Sequence, residues 1–278
     1  IVNEREKSGN RKNVEFDCAS RSVVCKQSDN IALGQPSGLV GRFAETSEFV
    51  LRNVPQRQLR KSLILAERLC WLLSFASMSK VLWYGYDYLD GTPRSYRRSV
   101  VGSVNGFRPV FDVRDVTSIQ NFVRQVFSRY AHLEKSRKLN VVIDYLLIAE
   151  ERNSATEVRL LLIFVVLENL KDTYARSRSI PYSDGYYRKG TATNSPRYTF
   201  KELLSEMLMD VGMRKGLKSI IRLRNELIHS GLSRLPHASQ RRIYERSQDL
   251  VREYMLRLLG YRGSFLAYTS RGDIRRTV

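Results

Sequence analysis

The sequence predicts a mainly α-helical protein in which a smaller α+β region precedes a helical domain. Two observations lead to this fold class. From about residue 113 onward apolar residues recur at helical spacing, whereas residues 81–104 alternate as strands do. The apolar and charged fractions, 42% and 27%, are those of a soluble globular protein. We therefore predict an α+β region at 1–112 and a helical domain at 113–278.

One helix and two strands define the predicted α+β region. Residues 56–78 place their apolar side chains at helical spacing and predict a helix. The apolar side chains that follow alternate, which predicts a strand: Val81, Trp83, Tyr84, Tyr86 and Tyr88. Asp90-Gly91 is a turn signal, and residues 96–104 are predicted to return as a second strand.

Capping boxes and apolar spacing divide the helical domain into six helices. A Ser or Thr followed three residues later by Glu or Gln predicts helix starts at Thr117, Ser154 and Thr199. The helix after Ser154, residues 158–174, is very apolar and is predicted to form the centre of the core. The other three predicted helices are 139–150, 217–229 and 239–259.

The net charge of +19 indicates a polyanionic partner. Nucleic acid ranks first because the basic residues are mixed with aromatic ones, and an anionic membrane ranks second. The alternative is a merely solvated basic surface. The longest apolar run, Leu160 to Leu167, is far too short for a membrane span. No basic amphipathic segment has an obvious membrane-facing side either, so no membrane partner is expected.

The cysteines indicate neither a disulfide scaffold nor a zinc site. Cys18 and Cys25 are too far apart for a CxxC pair, and Cys70 lies in an apolar helical run as a small buried residue. This usage suits a reducing cytoplasm, and the polar N-terminus predicts no signal peptide. We expect a cytoplasmic protein that uses no metal and no cofactor.

A basic and aromatic loop is predicted at 175–198, between two helices. Loops of this length in compact domains are usually functional or disordered. Aromatic rings stack unpaired bases and cations hold phosphates, which suits RNA. The alternative is a solvated surface loop. The predicted RNA-binding residues are Arg176, Arg178, Tyr186, Tyr187, Arg188 and Lys189.

The strongest candidate for a catalytic motif runs from Arg224 through Asn225 to His229. A permanent cation, an amide and an imidazole can hold a phosphodiester and move a proton beside it. Arg222 also precedes His229, at a longer spacing, and about one such match is expected by chance in a chain this rich in Arg. The alternative is a polar helix end, since Gly231 follows as a helix stop.

Helix geometry leaves the choice of arginine open. At 100° per residue, Arg222 and Asn225 share a face with His229, whereas Arg224 lies about 140° away from it. Arg224 would need its long side chain, a local distortion or a dimer partner to reach the same point.

This pattern resembles the ribonucleases of the HEPN superfamily, the higher eukaryotes and prokaryotes nucleotide-binding domain. Those enzymes carry an Arg, often followed by a polar residue, and then a His four to six residues on, as Arg224, Asn225 and His229 do. The resemblance covers about 115–260 and includes a long apolar helix that ends in an acidic segment, 165–170. The layout is most similar to the ApeA-like branch, which is linked to phage defence.

The resemblance implies a HEPN-like helical bundle that dimerises and joins two motif helices in a composite active site. Such a site cuts RNA, for example tRNA or single-stranded loops, without metal and leaves a 2′,3′-cyclic phosphate. His229 is then expected to assist attack by the ribose 2′-hydroxyl, Arg224 to stabilise charge and Asn225 to orient the others. Glu168 and Asn169 would support the site from the neighbouring helix, unless they serve only the core.

One position departs from the family. Some HEPN toxins carry a Tyr two residues after the His, where this chain has Gly231, so control through modification of that Tyr is not implied. The expected roles are antiviral defence or growth arrest, under a trigger or inhibitor protein. The runner-up is a catalytically inactive HEPN-like protein that binds RNA or a partner chain.

Overall fold

The computed structural model describes residues 13–18, 21–27, 46–88, 108–151, 154–192, 194–214, 216–269 and 274–278. The chain forms two compact units, 1–128 and 129–278, and each is described by itself. The described residues are mainly helical with small antiparallel sheets, as predicted. Among them, every helix is too short or too polar to span a bilayer. The predicted Asp90-Gly91 turn and the strand at 96–104 lie outside these residues.

The first unit contains a three-stranded antiparallel sheet in the order β1-β2-β3. The strands are β1 (Val14–Cys18), β2 (Arg21–Gln27) and β3 (Ser47–Val50). In β1 buried and exposed side chains alternate, so one face of the sheet is covered. A short 3₁₀ turn, Gln56–Gln58, leads into helix α1 (Leu59–Ser77), which confirms the helix predicted at 56–78.

Three phenylalanine rings form a cluster within the buried core of the first unit. The ring of Phe122 lies 4.8 Å from that of Phe111 and 6.0 Å from that of Phe75, measured between centroids. Phe75 belongs to α1, and Phe122 belongs to α2 (Val116–Leu133), which begins in the first unit and ends in the second. Cys70 is buried on α1, as predicted.

The predicted strand at 81–88 is absent from the described structure, where this segment is irregular. Side chains of α1 take its polar groups instead of a strand partner. The Val81 N–H donates to Ser74 Oγ at 2.8 Å, and the Trp83 indole donates to the carboxylate of Glu67 at 2.9 Å. The alternating aromatic side chains therefore belong to a segment bonded to a helix.

The second unit is built around its central helix, α4 (Thr156–Ser177), which packs against each of the other four helices of this unit. Its residues Ile163, Phe164, Val166 and Leu167 are almost completely buried, which confirms the prediction that this helix forms the core. The surrounding helices are α3 (Leu139–Ala149), α5 (Phe200–Asp210), α6 (Lys218–Ser230) and α7 (His237–Leu258).

One of the three predicted capping boxes is confirmed. Thr199 caps α5: its hydroxyl accepts from the Glu202 N–H at 3.2 Å, and the Glu202 carboxylate accepts from the Thr199 N–H at 2.8 Å. The box at Thr117 is wrong because Asp115, two residues earlier, accepts from the Ser118 N–H at 3.0 Å and starts α2.

The predicted box at Ser154 is wrong for a different reason. Helix α4 has Ala155 at its N-cap and no side-chain cap. The Thr156 hydroxyl forms a hydrogen bond with the His237 ring, 3.1 Å away on α7. The helix therefore begins without the cap that Ser154 and Glu157 were predicted to form, and a tertiary contact from its first residue lies at this end instead.

Two small hairpins complete the second unit. Strands β4 (Tyr182–Ser183) and β5 (Tyr186–Tyr187) lie between α4 and α5, within the predicted loop. Their turn residues, Asp184 and Gly185, both have positive φ, as a tight Asp-Gly hairpin requires. Strands β6 (Ser264–Ala267) and β7 (Ile274–Thr277) follow α7.

A buried ionic network joins four elements of the second unit. Arg252 on α7 donates through Nη2 to Glu150 Oε1, 3.0 Å away at the end of α3, and both side chains are fully buried. Arg159 of α4 approaches the other oxygen of Glu150 at 3.8 Å. Asp249 accepts from the N–H groups of Tyr268 and Thr269 and thereby holds the chain beyond β6 against α7.

Candidate functional site

The motif residues lie on α6, an amphipathic helix. Its buried side chains are Ile220, Leu223 and Leu227, whose spacing of three and four residues fixes which face contacts the core. Gly231 ends the helix in a left-handed conformation, with φ of 71°, and its N–H donates to Leu227 at 2.9 Å. The predicted helix and its glycine stop are confirmed.

The opposite face of α6 is exposed and partly apolar. Asn225, Ile228 and His229 succeed one another at helical spacing on this face, and all three are exposed, as is Leu232 just beyond the end of the helix. Ile228 is 47% exposed and Leu232 is 72% exposed. His229 lies one residue before the end of α6, and its side chain is exposed, so the ring is accessible.

Arg224 is held in place by three neighbours. Its Nη2 forms an ion pair with Glu168 Oε1 of α4 at 2.5 Å, and its Nη1 donates to Asn225 Oδ1 at 3.0 Å. Its guanidinium carbon lies 4.6 Å from the ring centroid of Phe200, the first residue of α5. Its Nε is buried and has no hydrogen-bond partner among the described residues. Arg224 is thus ordered, with only part of its guanidinium accessible.

Glu168 is shared between two cations. Lys171, one turn further along α4, pairs with Glu168 Oε2 at 2.5 Å and also lies 5.2 Å from the Phe200 ring centroid. One carboxylate therefore faces two positive charges over one aromatic ring, and the group keeps a net charge of about +1. A phosphate could approach this group without having to displace the whole ion-pair arrangement.

The hydrogen bond between Arg224 and Asn225 turns the Arg224 side chain toward His229, although the two residues lie on different sides of the helix. Asn225 lies only about 40° around the helix from His229, whereas Arg224 lies about 140° from it. Because the Arg224 guanidinium bonds to Asn225, it is offset toward the face that carries His229. The length of its side chain therefore allows Arg224 to reach toward a phosphate that His229 also contacts.

The two remaining predicted site residues differ in environment. Arg222 is exposed and makes no hydrogen bond or ion pair with a described carboxylate, so it is a solvated cation on the His229 face. Asn169 is half-buried, and its Oδ1 is buried without a described hydrogen-bond partner. Of the two arginines, Arg224 is the one that the fold positions.

This arrangement has the parts needed for phosphodiester chemistry. A planar cation can stabilise charge that develops on phosphate oxygens. An accessible imidazole can accept or donate a proton. Within the described residues, no three His, Cys, Asp or Glu side chains are grouped closely enough to hold a metal ion.

The six residues predicted to bind RNA differ in exposure: two of them are buried and four are exposed. Tyr187 and Arg188 are buried, and they serve the hairpin rather than a surface. The Tyr187 hydroxyl donates to the Asp172 carboxylate on α4, while Arg188 pairs with Asp184 at 2.7 Å and donates to Ser183 Oγ at 2.6 Å. Burial, together with the hydrogen bond to Asp172, raises the pKa of Tyr187 to about 12.

The other predicted basic residues of the segment are accessible but paired. Arg176 pairs with Asp172 at 2.9 Å, Arg178 pairs with Asp210, and Lys189 pairs with Glu202. Tyr186 remains exposed. Its ring carries the guanidinium carbon of Arg197 at 3.9 Å from the centroid.

Sequence reasoning missed Lys171 and Phe200 at the candidate site. Lys171 was detectable, because an acid and a lysine three residues apart on a helix are expected to pair. Phe200 had no such signal, since its role depends on α5 meeting α6.

A scan against protein-family models gave no match. Searches of curated proteins and of solved structures likewise found no significantly similar chain.

Proposed function

We propose that this protein is a metal-independent endoribonuclease of the HEPN type. The observation that carries the proposal is the placement of Arg224: Glu168 holds it, and it bonds to Asn225 beside the exposed His229 at the end of the same helix. The resemblance of the motif and its neighbouring helices to HEPN ribonucleases supports the same conclusion. The net charge of +19 suits an RNA substrate.

The proposed reaction needs only groups of the RNA and of this chain. The ribose 2′-hydroxyl loses its proton and its oxygen attacks the adjacent phosphorus, while the bond from phosphorus to the 5′-oxygen of the next nucleotide breaks. The products are a 2′,3′-cyclic phosphate and a 5′-hydroxyl, which takes up a proton. His229 assists the attack of the 2′-hydroxyl by proton transfer. Arg224 stabilises the charge on the phosphate, and Asn225 orients the Arg224 guanidinium.

The same proposal includes a homodimer with a composite site. Two large apolar side chains are exposed near His229 in the chain: Ile228 on the exposed face of α6, and Leu232 just beyond the end of the helix. Exposed apolar groups close to polar functional ones are typical of interaction surfaces. A second α6 packed on this face would bring two motif helices together. A chain that is monomeric in solution at the concentrations at which it cleaves RNA would exclude this arrangement.

The decisive experiment measures RNA cleavage in the presence of EDTA. Purified protein is expected to cut single-stranded or tRNA-like RNA, and the products are expected to carry 2′,3′-cyclic phosphate ends. His229→Ala should abolish cleavage without changing the circular dichroism spectrum, because the His229 side chain is exposed on the face of α6 opposite the core. Unchanged cleavage by this variant would overturn its catalytic assignment.

A pair of arginine variants tests which cation works. Arg224→Ala should reduce cleavage at least as severely as the loss of a single transition-state donor, about 100-fold. Arg222→Ala removes an equal charge from the same helix and should retain most of the activity. If Arg222→Ala has the larger effect, the working arginine is Arg222.

The cellular setting belongs to the same proposal and rests on the HEPN resemblance. It comprises a cytoplasmic role in antiviral defence or growth arrest, with a trigger or inhibitor protein controlling the activity. RNA binding with no cleavage under any of these conditions would favour the inactive, regulatory alternative.

A further inference from the structure

The β4–β5 hairpin and the chain that returns beside it form a small surface with two chemically different faces. Ser183 lies opposite Tyr186, and Arg188 lies opposite Arg197. Because directly opposed residues in antiparallel pairs project to the same side, these four side chains lie on one face of the hairpin, where Tyr186 and Arg197 are exposed and Arg188 is buried. Tyr182 lies opposite Tyr187 and projects to the other face, where the Tyr187 hydroxyl contacts Asp172.

Carboxylates neutralise most of the basic residues in this segment. Each of four cations between residues 176 and 198 has an acidic partner among the described residues: Arg176, Arg178, Arg188 and Lys189. The fifth, Arg197, has no described carboxylate partner and is exposed. A general electrostatic groove would leave several cations available, so this segment is better suited to one local contact.

That local contact is the stacked pair of Tyr186 and Arg197. The Arg197 guanidinium carbon lies 3.9 Å from the centroid of the Tyr186 ring, and Tyr186 is itself 47% exposed. Tyrosine rings and guanidinium planes are the two protein surfaces on which unpaired RNA bases stack. A guanidinium stacked in this way also keeps N–H donors at its edge, within reach of the phosphate of the same nucleotide.

We propose that Tyr186 and Arg197 form a stacking platform for one unpaired base of the RNA substrate. Tyr186 provides the ring, and Arg197 provides both a second stacking plane and a single phosphate contact. On the same face the buried Arg188 bonds to Asp184 and Ser183 of the hairpin and to the Ser195 carbonyl, which ties the hairpin to the returning chain that carries Arg197. The inference rests on the proposed ribonuclease function, because it assigns how that enzyme holds its substrate.

The platform predicts different behaviour for two kinds of substitution. The probe is a fluorescent single-stranded RNA of about ten nucleotides, which is within the range of known single-strand site sizes. Its affinity is measured over a series of salt concentrations with full-length protein carrying His229→Ala, so that the RNA stays intact. In this background Tyr186→Ala should weaken binding about 5- to 150-fold with no change in salt dependence.

Substitutions of Arg197 separate its charge from its plane. Arg197→Ala should weaken binding and reduce the slope of log affinity against log salt by about 0.7, as expected for one lost phosphate contact on a single strand. Arg197→Lys should keep that slope but still weaken binding, because lysine has the charge without the planar group. Tyr186→Phe should bind like the parent protein, since the ring is retained.

Tyr182→Ala provides the matched control. Tyr182 is 60% exposed on the same hairpin, but it lies on the opposite face and its ring contacts Tyr187 edge-on at 4.9 Å. It should leave RNA affinity unchanged. A blunt RNA duplex, which offers no unpaired base, should bind the parent and Tyr186→Ala proteins equally.

Three outcomes would overturn the platform. In the first, both Tyr186→Ala and Arg197→Ala bind single-stranded RNA as tightly as the parent protein. In the second, Tyr182→Ala loses as much affinity for that RNA as Tyr186→Ala does. In the third, Tyr186→Ala loses as much affinity for the blunt duplex as for the single strand. The first would indicate a protein-binding surface, and the second a hairpin that has lost its fold. None of them bears on cleavage, so failure of the platform is distinguishable from failure of the ribonuclease proposal, which depends on His229.

Discussion

Replacing Arg252 with Met should destabilise the second unit severely. The Arg252 and Glu150 side chains are both fully buried, with 3.0 Å between Nη2 and Oε1. At an effective dielectric constant of about 20, that separation corresponds to roughly 5 kcal/mol of attraction. Desolvation of the two ions offsets much of this gain, but removing one partner leaves the other charge buried, which costs about 3–5 kcal/mol. Arg159, 3.8 Å from Glu150, reduces the cost toward the lower value.

The assay is urea unfolding followed by two signals. Both tryptophans of the chain, Trp71 and Trp83, lie in the first unit, so their fluorescence reports that unit. Far-ultraviolet circular dichroism reports the helices, most of which lie in the second unit. Arg252→Met should move the midpoint of the circular dichroism transition to a lower urea concentration. The expected shift is the loss in unfolding free energy divided by the m-value, the slope of that free energy against urea concentration.

A matched control lies on the same helix. Arg241 pairs with Glu245 at 3.1 Å, but its side chain is 69% exposed. Arg241→Ala should therefore cost no more than about 0.5 kcal/mol. Adding Glu150→Gln to Arg252→Met should recover part of the loss, because the buried charge is removed as well. A loss below about 1 kcal/mol for Arg252→Met, or one equal to that of Arg241→Ala, would refute this reasoning.

Two further predictions concern helix ends. Gly231→Ala should lower stability by about 1 kcal/mol because Gly231 has positive φ, whereas Gly231→Asn should lose less; equal losses in thermal unfolding would contradict this. Hydrogen bonds from Lys189 and from the backbone and hydroxyl of Thr199 lower the pKa of Glu202 from 4.5 to about 2. Its contribution is therefore present above pH 4.5 and is lost as the pH falls toward 2, so the stability difference between the protein and Glu202→Gln should shrink over that range. A difference independent of pH would exclude this role.

Helices of the second unit were predictable where local signals and burial agree. The apolar run of α4 exceeds what any exposed helix would carry, and the structure buries Ile163 and Leu167. Thr199 and Glu202 satisfy each other's backbone groups within one turn, so no distant residue is needed to form that cap. Gly231 likewise ends α6 through its own backbone.

Elements that depend on distant partners were not predictable in the same way. The alternation at 81–88 has the period of a strand, but Glu67 and Ser74 of α1 take its polar groups. Ser154 has the chemistry of a cap residue, but α4 begins after Ala155 without a side-chain cap. A single sequence shows which groups can form hydrogen bonds, whereas the fold determines which partners they meet.

In the candidate site, too, the features set by local sequence were predictable, and those that depend on distant partners were not. Its position on a helix that ends at a glycine followed from the sequence, and Glu168 was named as a supporting residue. The ordering of Arg224 did not follow, because it requires α4, α5 and α6 to meet around one guanidinium. In the segment between residues 175 and 198, residue type suggested six RNA contacts. Carboxylates such as Asp172 and Asp184, which bind several of these side chains, could be recognised as their partners only in three dimensions.

The contact between Asp249 and the chain beyond β6 sets a limit on how short a functional fragment can be. Asp249 accepts two backbone N–H groups, and Tyr268 lies 5.2 Å from the guanidinium carbon of Arg252. A fragment that stops at the end of α7 would lose both contacts, which cover the buried Arg252–Glu150 pair. A fragment that keeps this pair as the structure has it must therefore extend at least through Thr269.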